Sequence, residues 1–292
     1  MRSAKEILHS WEKNQLPIYQ MMLDEEIKET ETSEEKIRQR LLDSWQVMRL
    51  SATRPLTEDD WHGVIIGGEG KKVWEHYQAG KGVAGGTITR ASAYALSATI
   101  TNAAMGKIVA APTAGACGVL PAVLLSLQDD IGFDDQTAVN GLLTAGGVGQ
   151  IIACSAGISG AQCGCQAEVG SASAMAAAAV VEIMDGTVPM ALDAAAIAIK
   201  NVLGLACDPV AGLVECPCSK RNVMGAANAF VAAELALAGV VSHIPLDEVL
   251  EAMRQVGSLM PAALRETAKG GLAATPTGEH WSQKLAAERG LS

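Results

Sequence analysis

Ser171-Ala172-Ser173-Ala174-Met175-Ala176-Ala177-Ala178-Ala179-Val180-Val181-Glu182-Ile183-Met184 is an apolar run of helical length without the strict alternation of a strand. Runs of the same kind cover 189–203 and 222–241. Strand-forming residues are sparse around them: aromatics make up 3% of the chain while apolar residues make up 49%, so the apolar mass is Ala, Val, Leu, Ile and Met. The 30 glycines are spread through these same segments, and small side chains let helix backbones approach closely. The pattern predicts an all-α, multi-helix core.

Outward from that core, the first 50 residues are charge-rich. Thr32-x-x-Glu35 reads as a capping box ahead of Ile37, Leu41, Trp45 and Met48, and the stretch predicts two amphipathic helices. Turn residues and acids from Ala52 to Asp60 mark a composition shift. Residues 1–60 are therefore expected to form a charged helical arm, and 61–292 a helical domain with a Gly/Thr/Pro-rich C-terminal tail. The formal charge of -10 and the lack of any Lys/Arg cluster argue against nucleic-acid binding. The uncharged stretch 136–167 has the length of a membrane span, but its Asn140, Gln150 and Gln162 fit buried helices better. With no signal-peptide core after Met1, the expectation is a cytoplasmic protein free of the membrane.

Gly/Pro clusters interrupt the helical runs at 111–118, 160–170 and 207–212, and it is there that residues capable of chemistry collect. Of seven cysteines, Cys165, Cys207 and Cys218 sit in punctuated segments, and none belongs to a C-x-x-C pair. Their spacing matches no standard zinc-finger or ferredoxin pattern, and taken alone it favours buried free thiols acting as small hydrophobes. Soft thiolates gathered from distant turns would suit zinc or an iron-sulfur cluster; with three protein ligands, a cubane keeps one iron open as a Lewis acid. The five histidines show no paired-ligand spacing.

The motifs themselves carry more than the spacing does. Gly164-Cys165-Gln166-Ala167-Glu168-Val169-Gly170-Ser171-Ala172, Leu203-Gly204-Leu205-Ala206-Cys207-Asp208-Pro209-Val210-Ala211-Gly212 and Pro217-Cys218-Ser219-Lys220-Arg221-Asn222 occur in the order of the signatures of the iron-sulfur-dependent L-serine dehydratases, which the chain resembles. The loop Ala111-Pro112-Thr113-Ala114-Gly115 and the tail Gly270-Gly271-Leu272-Ala273-Ala274-Thr275-Pro276-Thr277-Gly278 are similar to that family too, so the resemblance covers nearly everything beyond residue 60. It implies an all-helical catalytic domain and a [4Fe-4S] cluster on Cys165, Cys207 and Cys218, with the fourth iron left for L-serine. It also implies an α subunit whose β subunit is a separate polypeptide.

The chemistry so implied has a clear physical need. Hydroxide is a poor leaving group unless a Lewis acid or a proton meets it, and a base must take the α-proton. Aminoacrylate then tautomerises and hydrolyses to pyruvate and ammonia, and no pyridoxal phosphate is required. Glycine-rich turns present main-chain N–H groups to carboxylates, which makes Thr113, Ala114 and Gly115 candidates for the substrate carboxylate; by their residue types alone they equally fit a helix–helix turn that binds nothing. Arg221 is a second candidate for that carboxylate, or for opposing cluster charge, and Lys220 and Asp208 are weak candidates for the base. Asp208 and Glu168 are each compatible with capping. Cys163 and Cys216 are expected to be bystanders, Cys117 lies in the candidate substrate loop, and Cys154 is expected in the core. Two other readings stay open: an iron-sulfur L-cysteine desulfidase, and a non-catalytic scaffold with structural thiols or zinc.

Overall fold

The computed structural model describes residues 1–288. In chain order the helices are α1 (Ala4–Asn14), α2 (Ile18–Thr30), α3 (Glu34–Thr57), α4 (Glu69–Gln78), α5 (Gly85–Ala103), α6 (Val119–Ile131), α7 (Asp135–Ser155), α8 (Gly160–Cys163), α9 (Ser171–Ile183), α10 (Val188–Lys200), α11 (Cys218–Leu237), α12 (Leu246–Leu259) and α13 (Pro276–Glu288). No strand occurs among the described residues; two isolated bridges, His62 to Gly67 and Cys207 to Arg265, are the only pairings of that kind there. The fold is all-α, as the apolar runs predict.

The alanine-rich run is the axis of the molecule. Every residue from Ser171 to Val181 is buried, so α9 presents no outer face, and α6, α7, α10 and α11 surround it. A helix apolar on all sides is stable only in such a place. Because its side chains are mostly methyl groups, the cohesion comes from dense backbone-to-backbone packing more than from area buried per residue. Two stretches, Ala114–Ile131 and Asp135–Ser155, are long and apolar enough to cross a membrane, and most of each lies inside the fold.

The first 57 residues form three helices, not two. Ile18, Met21 and Trp45 are buried in the same core as α9, and the α3 start is capped from Ser33 without a side-chain bond, not from a Thr32 box. The turn residues at 52–57 continue α3 despite Pro55. Proline removes the N–H that would bond the Ser51 carbonyl, but Thr101 Oγ1 on α5 donates to that oxygen at 2.8 Å, so nothing is left unpaired. Glu182, at the far end of α9, accepts from the N–H groups of Ile18 and Tyr19 at the bare start of α2 and from Thr144.

The helix expected over 222–241 instead runs Cys218–Leu237. Pro217 occupies its N-cap, where a missing N–H costs nothing, and Gly239 in left-handed backbone ends it. Cys218 therefore belongs to the first turn of a long helix, not to the loop before it.

Candidate functional site

Four irregular segments meet at one end of α9 and α11. The first, 160–170, is a short helix followed by a π-helical turn, Gln166–Gly170, that leads straight into α9. The second, 203–217, runs through Cys207 to the start of α11. The third is the loop 111–118 with a single 3-10 turn, and the fourth is the stretch 261–275 before α13.

Main-chain and amide hydrogen bonds lock these segments together. Gln166, fully buried, donates from Nε2 to the Met253 carbonyl at 3.1 Å and accepts from the Gly204 N–H at 2.9 Å, while its own N–H bonds the Leu205 carbonyl. That joins the Cys165 segment to the Cys207 segment. The Cys207 N–H donates to the Leu264 carbonyl at 2.8 Å and its carbonyl accepts from Glu266, which ties in the fourth segment. Asn222, also fully buried, accepts from the Gly118 N–H at 2.9 Å and donates to the carbonyls of Gly115 at 2.7 Å and Cys218 at 2.9 Å. One side chain thus fixes the loop 111–118 against the third cysteine.

Within this frame Cys165, Cys207 and Cys218 are all buried free thiols near one another. Burial pushes the Cys165 thiol up to about 11, with the Arg221 cation pulling the other way. Burial pushes Cys218 up to about 12, helped by Cys165 and Glu168. Cys207 is raised first by burial and then by Glu168, Cys165, Glu266 and Cys218. The three thiols feel one another's charge, yet among the described residues no three His, Cys, Asp or Glu side chains gather tightly enough for a single metal ion. Ser219 Oγ, next to Cys218, is buried without a partner. The donor set of three soft thiols and this orphaned hydroxyl fit an iron-sulfur cluster.

Arg221 supplies the cation. Its guanidinium donates to the Ala206 carbonyl at 2.7 Å, pairs with Asp208 Oδ1 at 2.7 Å, and lies close enough to Cys165 and Cys218 for their charge to hold its proton more tightly against burial. Asp208 Oδ2 accepts from the Leu272 N–H at 2.7 Å, so this carboxylate is committed to Arg221 and to the fourth segment. Lys220 points outward, exposed, to Glu69 at 3.2 Å.

Glu168 lies between the thiols and the loop 111–118. Its Oε2 is 3.8 Å from Cys207 Sγ, and burial raises its carboxyl above the usual range while the Thr113 hydroxyl pulls it back. A Cβ on Gly115 would stand 3.3 Å from Glu168 Oε1, and one on Gly160 would stand 2.7 Å from Oε2 and 3.0 Å from Cys207 Sγ. Both glycines leave the room that the carboxylate and thiol occupy. Among the described residues no hydrogen bond uses the N–H groups of Thr113, Ala114 or Gly115, which open the 3-10 turn beside this carboxylate.

The remaining cysteines lie elsewhere. Cys163 donates to the Ala156 carbonyl at 3.5 Å and packs on Gly257, Cys117 donates to the Ala98 carbonyl at 3.8 Å, and Cys216 is half-buried; Cys154, expected in the core, is instead exposed on α7, on the face turned away from the neighbouring helices. Gln166, Asn222 and the central place of Glu168 are what sequence reasoning missed. All three stand inside the quoted motifs, but no local signal separates them from capping or surface residues.

Fold and site together define an all-helical protein with three buried thiols beside a loop whose first main-chain N–H groups are unbonded among the described residues. The family model for the serine dehydratase alpha chain matches residues 13–273, and the chain belongs to that family. It is 50% identical over 280 residues to the L-serine dehydratase, alpha chain, of Peptoniphilus asaccharolyticus, covering 96% of each chain. It is 45% identical over 284 residues to the probable L-serine dehydratase, alpha chain, of Bacillus subtilis, covering 97% of this chain and 95% of that one. An L-serine dehydratase of Streptomyces coelicolor is 39% identical over 279 residues, which span 93% of this chain but 60% of the longer relative.

Proposed function

We propose that this chain is the α subunit of an iron-sulfur L-serine dehydratase, eliminating water from L-serine to yield pyruvate and ammonia. The observation that carries the reading is the convergence of three buried thiols with Arg221 on one side and Glu168 and the open N–H groups of Thr113 to Gly115 on the other. The names of the relatives support the reaction and the two-chain organisation.

Cys165, Cys207 and Cys218 would hold a [4Fe-4S] cluster, and their raised thiols must give up protons to do so. When bound, the cluster supplies a Lewis-acidic iron for the departing hydroxyl. Arg221, braced by Asp208, offsets the negative charge of the thiolates from within the protein. The N–H groups of Thr113, Ala114 and Gly115 receive the substrate carboxylate, as the first donors of a turn do. Glu168 is the group placed to take the α-proton at its Oε atoms, since Lys220 faces Glu69 on the surface and Asp208 is occupied by Arg221 and Leu272. Burial raises the Glu168 carboxyl above the ordinary carboxylate range, which makes its ionised form a stronger acceptor for a carbon-bound proton.

A β subunit is the proposed partner, and the charged outer faces of α1–α3, within residues 1–60, are the proposed surface for it. Because these helices also carry Ile18 and Trp45 in the core, charge reversals such as Glu29→Lys and Glu35→Lys test the surface better than truncation does. A complex of unchanged affinity would remove that surface from consideration.

The reading is tested by iron and acid-labile sulfide per chain after anaerobic reconstitution, beside Cys218→Ser, followed by L-serine turnover with the β partner. About four of each in the wild type, lost in the variant, with pyruvate formed from serine, is the expected result. A well-folded wild type that takes up no iron overturns it.

A further inference from the structure

The loop that precedes Cys218 contains a buried carboxylate outside the described chemistry. Glu215 is 4% exposed. Its Oε1 accepts from the Val64 N–H at 3.0 Å, and its Oε2 accepts from those of Ile65 at 2.7 Å and Ile66 at 3.1 Å. Three consecutive main-chain donors closing on one carboxylate form an anion-holding concavity. The turn that supplies them is itself closed by the Gly63 N–H donating to the Ile66 carbonyl at 2.7 Å. It is shaped around this one side chain: a Cβ at Gly63 would stand 2.5 Å from Glu215 Oε2 and 2.8 Å from the Ala103 methyl.

The main chain of Glu215 carries that anchorage to the site. Its carbonyl accepts from the Ser219 N–H at 2.9 Å, in the first turn of α11, and the next residue's carbonyl accepts from the Val210 N–H at 2.8 Å. Cys218 lies between these two bonds. A side chain fixed from the 63–66 turn therefore sets where the first turn of α11, and the thiol on it, stands.

We infer that Glu215 is the positioning residue for Cys218, holding the third thiol in register with Cys165 and Cys207 through the 63–66 turn. The part of this that concerns the cluster rests on the function proposed above; the placement of the thiol does not. Both oxygens are needed, since glutamine keeps one acceptor and turns an NH₂ toward a donor.

The test compares Glu215→Gln and Gly63→Ala with Glu182→Gln, which also removes a half-buried carboxylate from main-chain N–H groups but lies at the far end of α9 from the thiols. Alkylation of Cys218 by iodoacetamide in the cluster-free full chain, followed by mass spectrometry with Cys117 as internal reference, reads thiol placement directly. In the reconstituted protein, the electron paramagnetic resonance spectrum and the rate of iron loss to a chelator read the same thing at the cluster. Expected are Cys218 labelling and iron loss about tenfold or more faster in Glu215→Gln and Gly63→Ala than in Glu182→Gln, with an altered spectrum in the first two only. Equal labelling in all three variants, or in the wild type and Glu215→Gln, overturns the inference. A wild type that binds no iron overturns the cluster reading alone, and the labelling comparison still decides whether Glu215 places Cys218.

Discussion

Helix α9 and the turn that feeds it are neighbours in the chain built on opposite terms. In Ser171–Ile183 the side chains are small and nearly interchangeable, and what matters is that none is too large. In 160–170 the buried polar side chains have specific partners: Gln166 bonds Met253 and Gly204, and Glu168 reaches Cys207 and the Thr113 loop. The core supplies rigidity without specificity, and the turn supplies specificity that only a rigid frame can hold to the tolerance catalysis needs. Damage to the two regions should therefore be separable.

The sharpest separation is expected from Cys165→Ser. On the proposed function, turnover of L-serine should fall by about a thousandfold or more, because the departing hydroxyl would lose the proposed Lewis acid. Iron per chain should drop with it while the far-ultraviolet circular dichroism stays that of the wild type. Retained iron and turnover would show that Cys165 is a packing thiol like Cys117. Next, Glu168→Gln should keep its iron and lower kcat by roughly 10²- to 10⁴-fold, the range of a lost general base. A fall in iron content as large as the fall in kcat would instead place Glu168 among the groups that hold the centre together.

The opposite signature is expected in the core. Ala177→Leu forces extra carbons between helices already in contact and should lower stability by about 1–3 kcal/mol, read from the denaturant midpoint. Iron per folded chain and the KM for serine should hold; if they change in step with stability, core and site are one cooperative unit.

The smallest effect is electrostatic. Burial raises the Glu182 carboxyl above its ordinary value, so its protonated form is the one that folding favours. The stability linked to this group is complete below the unfolded pKa and is lost as pH rises through the folded one. Relative to the wild type, Glu182→Gln should be more destabilising near pH 4 than near pH 7, measured as the difference in Tm. A difference that grows with pH would reverse the assigned shift.

Much of this was legible before any coordinates. Helical character follows from apolar runs such as 171–184 and from the scarcity of strand formers, because those are local properties of composition and periodicity. Resemblance of the motifs pointed to the three cysteines as a set. Local reading went astray where distant partners overrule a local rule. Pro55 and its turn residues read as a boundary, yet α3 continues because Thr101, far along the chain, takes the orphaned Ser51 carbonyl. Cys218 reads as a loop residue, yet Pro217 starts α11 in time to include it.

Chain order alone thus decided that the protein is all-α and which residue types could do chemistry in its turns. Which of them face one another was decided by packing: that Arg221 reaches Cys165 and Cys218, that Asn222 joins the Gly115 loop to Cys218, and that Glu168 rather than Lys220 looks into the site. The reason is physical. A helix is made by bonds between residues four apart, whereas a site is made by bonds between segments that meet only after α9 has been enclosed, and no local pattern records that meeting.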